Sequence, residues 1–75
     1  MSFWDGCETV EQNAATLSGE WVFRGTRIPV RALFENLEDG ATVDDFVDWF
    51  PGVTRQQVEA VLEFAAASLR FQASA

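Results

Sequence analysis

The chain contains neither histidine nor lysine, so the general bases it can offer are reduced to carboxylates. Its one cysteine, Cys7, has no residue type beside it that would activate a thiol nucleophile. Asp44 and Asp48 stand one helical turn apart and could co-ligate a hard cation, yet acidic pairs on short helices are far more often solvated surface. No catalytic residue, metal ligand or cofactor is therefore assigned, and an enzyme is not expected. The chemistry on offer is recognition by arginine. Arg24, Arg27 and Arg31 are three of only five positive side chains. A guanidinium fork suits a carboxylate cluster better than an ammonium does, so these three are candidate partner-binding residues. The competing reading is internal: Arg31 pairs with Glu35 one turn on, Arg24 pairs with Glu20 or another acid, and Arg27 braces the turn through backbone carbonyls.

The elements that must position these arginines follow from local chemistry. Trp21, Val22 and Phe23 favour a strand, and Gly25 permits a sharp change of direction after it. Ile28 is pushed out of the α region by Pro29, which suits the first helical position. The expected architecture is mainly α. Residues 1–6 are a loose tail, 7–24 a β lead-in with strands at 7–11 and 20–24, and 29–71 a three-helix, homeodomain-like helix-turn-helix bundle, all in one domain. Gln12 to Gly19 reads as a turn anchored by Leu17.

Helix one spans about 29–39, with Val30, Leu33, Phe34 and Leu37 on one stripe and Gly40 as its left-handed stop. Helix two spans about 43–50, capped by Thr42, with Asp44 and Asp45 favoured by the helix dipole and Pro51 ending it. Helix three begins at a capping box of Thr54 and Gln57, stapled by Val53 and Val58, and continues to about 69–71. Val58, Val61, Leu62, Ala65 and Leu69 form its core stripe. Phe64, Ala67 and Phe71 form a second stripe, where a homodimer or partner contact is expected unless Phe3, Trp4 and the strands lie over it.

Charge limits the partners. With 12 acidic side chains against five arginines the net charge is −7, which opposes sequence-independent phosphate binding and suits a basic protein partner. In a DNA-binding version, helix three would present Arg55 and Gln56 to base edges, but Glu59 and Glu63 would face the phosphates. DNA binding is therefore expected to be weak, or to occur only in complex with a more basic partner. No apolar run reaches membrane-spanning length, the N-terminus lacks a signal-peptide pattern, and a single cysteine fits a reducing cytoplasm.

Arg24-Gly25-Thr26-Arg27-Ile28-Pro29-Val30 resembles the Arg/Lys-Gly-Thr-Arg-hydrophobe-Pro-Val motif of a large bacterial family, number four hundred and thirty-three among the domains of unknown function. Leu33 to Gly40 looks like that family's first helix, Val43-Asp44-Asp45-Phe46 with Phe50-Pro51 its second, and Thr54 to Ala65 its capped third. Val10-Glu11-Gln12-Asn13 and Leu17-Ser18-Gly19 also fit, so the resemblance covers about residues 7–69. It implies a small helix-turn-helix domain preceded by strands. It also implies a VapB-type antitoxin, a non-catalytic module that binds and inhibits a nuclease toxin with a PIN-like fold. The alternative is a transcriptional regulator acting through Arg55 and Gln56.

Overall fold

The computed structural model describes residues 3–12 and 19–73, with side chains described as far as residue 70. Two short strands lead into three helices: β1 (Val10–Gln12), β2 (Trp21–Phe23), α1 (Val30–Glu38), α2 (Val43–Trp49) and α3 (Arg55–Ala73). The strands pair antiparallel, with Val10 opposite Phe23, Glu11 opposite Val22 and Gln12 opposite Trp21. Both are shorter than the sequence suggests, because residues 8–9 turn ahead of β1 and residues 24–25 turn after β2. Leu17, Asn13 and Ser18 of the expected connecting turn lie outside the described residues.

A two-stranded ribbon is barely stable alone, and this one is held by burying its inner face. Val10 and Phe23, paired across it, are almost wholly covered, together with Val30, Leu33, Phe46, Val53, Val58 and Val61 from the helices and α2–α3 turn, and Val22 is buried on the other face of β2. Cys7 is buried beside them and serves as a small hydrophobe. The Phe23 and Phe46 rings, one from the strand and one from α2, lie 6.1 Å apart at the centre.

The helix boundaries rest on hydrogen bonds that local sequence can supply. Pro29 caps α1 in an extended conformation, one residue earlier than the first-helical-position reading, because it is also bridged to Val22 of β2. At the other end Gly40 takes a positive φ of 102° and its N–H donates to the Leu37 carbonyl. Thr42 and Asp45 form a full capping box, so Asp45 bonds the Thr42 N–H directly besides complementing the dipole. Thr54 and Gln57 do the same for α3, at 3.0 and 3.1 Å.

Two expectations are corrected. The tail is not loose from Phe3 onward: Phe3–Gly6 form a 3-10 turn whose rings pack on Phe64, with Trp4 stacked at 5.5 Å and Phe3 edge-on at 5.4 Å. Leu69, placed in the core stripe, is 64% exposed. A helix of 19 residues is about 28 Å long and one of seven about 10 Å, so the far half of α3 outruns α2. Replacing Thr54 by Ala removes the acceptor for the Gln57 N–H, and about 1 kcal/mol should go with it. Thermal melting should show a fall of roughly 4–8 °C.

Candidate functional site

The arginine-bearing turn is built from its own backbone. Phe23 donates its N–H to the Ile28 carbonyl at 3.0 Å, and its carbonyl accepts the Thr26 N–H at 3.0 Å and the Thr26 hydroxyl at 2.8 Å. The same hydroxyl accepts the Ile28 N–H at 3.0 Å. Gly25 supplies the left-handed residue the reversal needs, with φ of 81°. Its N–H donates to Glu11 Oε2 at 3.0 Å, which ties the turn to β1. Gln57, already engaged in the α3 cap, donates its Nε2 to the Arg24 carbonyl at 3.2 Å and ties the turn to α3. Thr26 and Gln57 thus carry more of the motif's geometry than its arginines do. A hydroxyl three residues before Pro29 is the sequence signal that marks Thr26.

Three candidate arginines part company here. Arg24 lies along the outside of β1: its Nε donates to the Glu8 carbonyl at 2.7 Å, one terminal nitrogen to the Val10 carbonyl at 3.0 Å, and the other meets Glu11 at 3.4 Å. It therefore takes the bracing role that the sequence reading gave to Arg27, and its acid is Glu11 rather than Glu20. The Val10 carbonyl, engaged this way, is closed to a further strand. Arg31 binds both oxygens of Glu20, at 2.5 and 3.1 Å, and reaches Glu35 at 3.3 Å. That hydrogen bonding holds the Glu20 carboxyl below its ordinary value of 4.5 and raises the Arg31 guanidinium above its own. Arg27 is exposed on the turn and has no hydrogen bond or ion pair among the described residues.

The candidates on α3 are also engaged. Arg55 pairs with Asp44 of α2 and, at 2.9 Å, with Glu59 one turn on. Gln56 is exposed next to it. Arg70 pairs with Glu63 at 2.7 Å. Phe64 is half-buried under Phe3 and Trp4 of its own chain, and the Phe71 side chain lies outside the described residues.

Beside Arg31 lies a groove of about 190 Å³ lined by Trp4, Glu20, Trp21, Val30, Arg31 and Phe34. Phe34, assigned to the inward stripe of α1, stands at its outer edge, 36% exposed. The groove assembles from three separate parts of the chain, which periodicity within one helix cannot reveal. Among the described residues no group of three or more Cys, Asp or Glu is placed to hold a metal ion, and no helix is long and apolar enough to cross a membrane.

Fold and site together define a small, mainly α chain whose strand-to-helix turn displays one uncommitted arginine. The chain belongs to the family described as Protein of unknown function (DUF433), which matches residues 10–65. No curated protein and no solved structure matches it. The match takes in both strands, the turn and most of the helical region, and leaves out Trp4.

Arg24 and Arg27 should separate in a melting experiment. Arg24→Ala leaves the Glu8 and Val10 carbonyls to water and should cost about 1 kcal/mol, whereas Arg27→Ala should melt like the wild type. Glu20 supplies a pH test. Its folded-state pKa is lowered, so its contribution to stability is present above about pH 4.5 and is lost as the pH falls through the folded value. The melting difference between wild type and Glu20→Gln should therefore be present at neutral pH and shrink in acid.

Proposed function

We propose that the chain is a non-catalytic, cytoplasmic, antitoxin-like module that binds and inhibits a PIN-like nuclease, with α2 and α3 forming a homeodomain-like helix-turn-helix scaffold. The observation that carries this reading is Arg27: exposed on a turn that is rigidly wired, and unpaired among the described residues while Arg24, Arg31, Arg55 and Arg70 all meet carboxylates. A nuclease of this kind holds its metal with several acidic side chains. A guanidinium fork delivered by a rigid turn suits such a cluster and would exclude metal or substrate phosphate without any chemistry of its own. The −7 charge supports the same reading, since a protein that binds nucleic acid surrounds its centre with basic surface.

The regulator reading has less support. Arg55 would have to leave both Asp44 and Glu59 to reach a base edge, and Gln56 alone reads little. DNA binding, where it occurs, belongs to a complex with a basic partner. Docking through Arg27 also needs no contact at Phe64, and the exposed Leu69 leaves that part of α3 open to a second copy.

The test uses the product of the neighbouring reading frame, assayed for nuclease activity with and without this protein. Inhibition by the wild type that is lost in Arg27→Ala, at an unchanged melting temperature, supports docking. Arg31→Ala should weaken inhibition less and melt lower, because it releases Glu20. A neighbour without nuclease activity, or full inhibition by Arg27→Ala, overturns the proposal.

A further inference from the structure

We propose that the groove between Trp4, Trp21 and Phe34 receives one arginine side chain of a basic protein partner. This deepens the partner-binding reading above by naming what the partner must present. At about 190 Å³ the groove is smaller than the ~300–1,000 Å³ of pockets that bury a small molecule, so it has room for a single long side chain. Three aromatic side chains line it, the Trp4 and Phe34 rings 6.3 Å apart and tilted by 36°. Aromatic faces carry negative potential and attract a guanidinium, which stacks on them more readily than an ammonium does.

The rim favours the same occupant. Arg31 is answered by Glu20 in the lining and by Glu35 one turn further along α1, so the three side chains together leave one negative charge in excess next to the groove. Each Glu20 oxygen accepts one bond from Arg31, and a carboxylate offers about four acceptor positions, so Glu20 can accept from an incoming fork as well. An aliphatic side chain would fill the space and use neither feature.

A second copy of the chain is the poorer source of that arginine. Its unpaired candidate is Arg27, but each copy carries −7 and two would repel. A basic partner is drawn to the groove by the same field.

The experiment follows the indole N–H signals of Trp4 and Trp21 by NMR while N-acetyl-arginine amide is added, with the exposed Trp49 on α2 as internal control. The neutral isostere N-acetyl-citrulline amide is titrated in parallel. Saturable shifts at Trp4 and Trp21 alone are expected, roughly two- to fivefold weaker for citrulline. Phe34→Ala should abolish them. Glu20→Gln, which keeps the aromatic faces, should weaken the arginine probe and leave citrulline unchanged. Equal response to both probes, no response, or equal shifts at Trp49 would overturn the proposal, as would a dimer in sedimentation whose Arg27→Ala variant is monomeric. No nuclease is present, so the two readings fail separately. Probe binding without nuclease inhibition removes the nuclease alone, and inhibition intact in Phe34→Ala removes the groove's role alone.

Discussion

The carbonyl of Phe23, accepting two bonds from Thr26, is the constraint on which the rest of the molecule depends. It fixes the reversal after β2 while the Phe23 ring is wholly buried against Phe46. Backbone and side chain of one residue therefore lock the turn and the core to each other. Glu11 from β1 and Gln57 from α3 reach the same turn through Gly25 and Arg24. A substitution that loosens it releases both the ribbon and the start of α3. A rigid turn also holds whatever it displays in a fixed direction, which is what makes an exposed Arg27 useful.

Charge is arranged by the same economy. A chain with 12 acids and five arginines cannot neutralise itself, and it uses Arg24, Arg31, Arg55 and Arg70 at junctions between or along elements. Arg55 bridges the start of α3 to the first turn of α2, and Arg31 bridges α1 to the residue before β2. Exposed pairs of this kind stabilise little individually. Their larger effect is to decide which cation is left over. The surplus acid covers the surface, and among the described residues the arginine left over is Arg27 on its turn.

What was legible in the sequence was whatever the chain settles within four residues. The cap at Thr42, the capping box at Thr54, the stop at Gly40 and the Arg31–Glu35 pair all lie inside that range. The pairings that span 11 to 14 residues, Arg31 with Glu20 and Arg24 with Glu11 and Val10, depend on how the ribbon closes and leave no local trace. The groove was hidden for the same reason, since Trp4, Trp21 and Phe34 meet only after the 3-10 turn folds back over Phe64. Periodicity overreached at Leu69, because a stripe records which face is apolar and not how far the neighbouring helices extend. The expectations for partner and DNA recognition rest on chemistry that lies in another molecule.

Arg31 joins the brace and the groove, and this determines how the motif has to be taken apart. Its bond to Glu20 ties the approach to β2 onto the first turn of α1, and the same two side chains form the charged rim beside Trp21. A variant at Arg31 therefore changes the fold's closure, the groove's charge and the arginine cluster at once, so a loss seen there has no single cause. Arg27 shares none of these contacts and Phe34 shares only the groove. Glu20 lies between them: its substitution by Gln keeps the volume and removes one charge, so the rim changes while the walls stay. The proposed recognition is thus layered on bonds that already hold the chain together, and only the positions outside those bonds report on recognition alone.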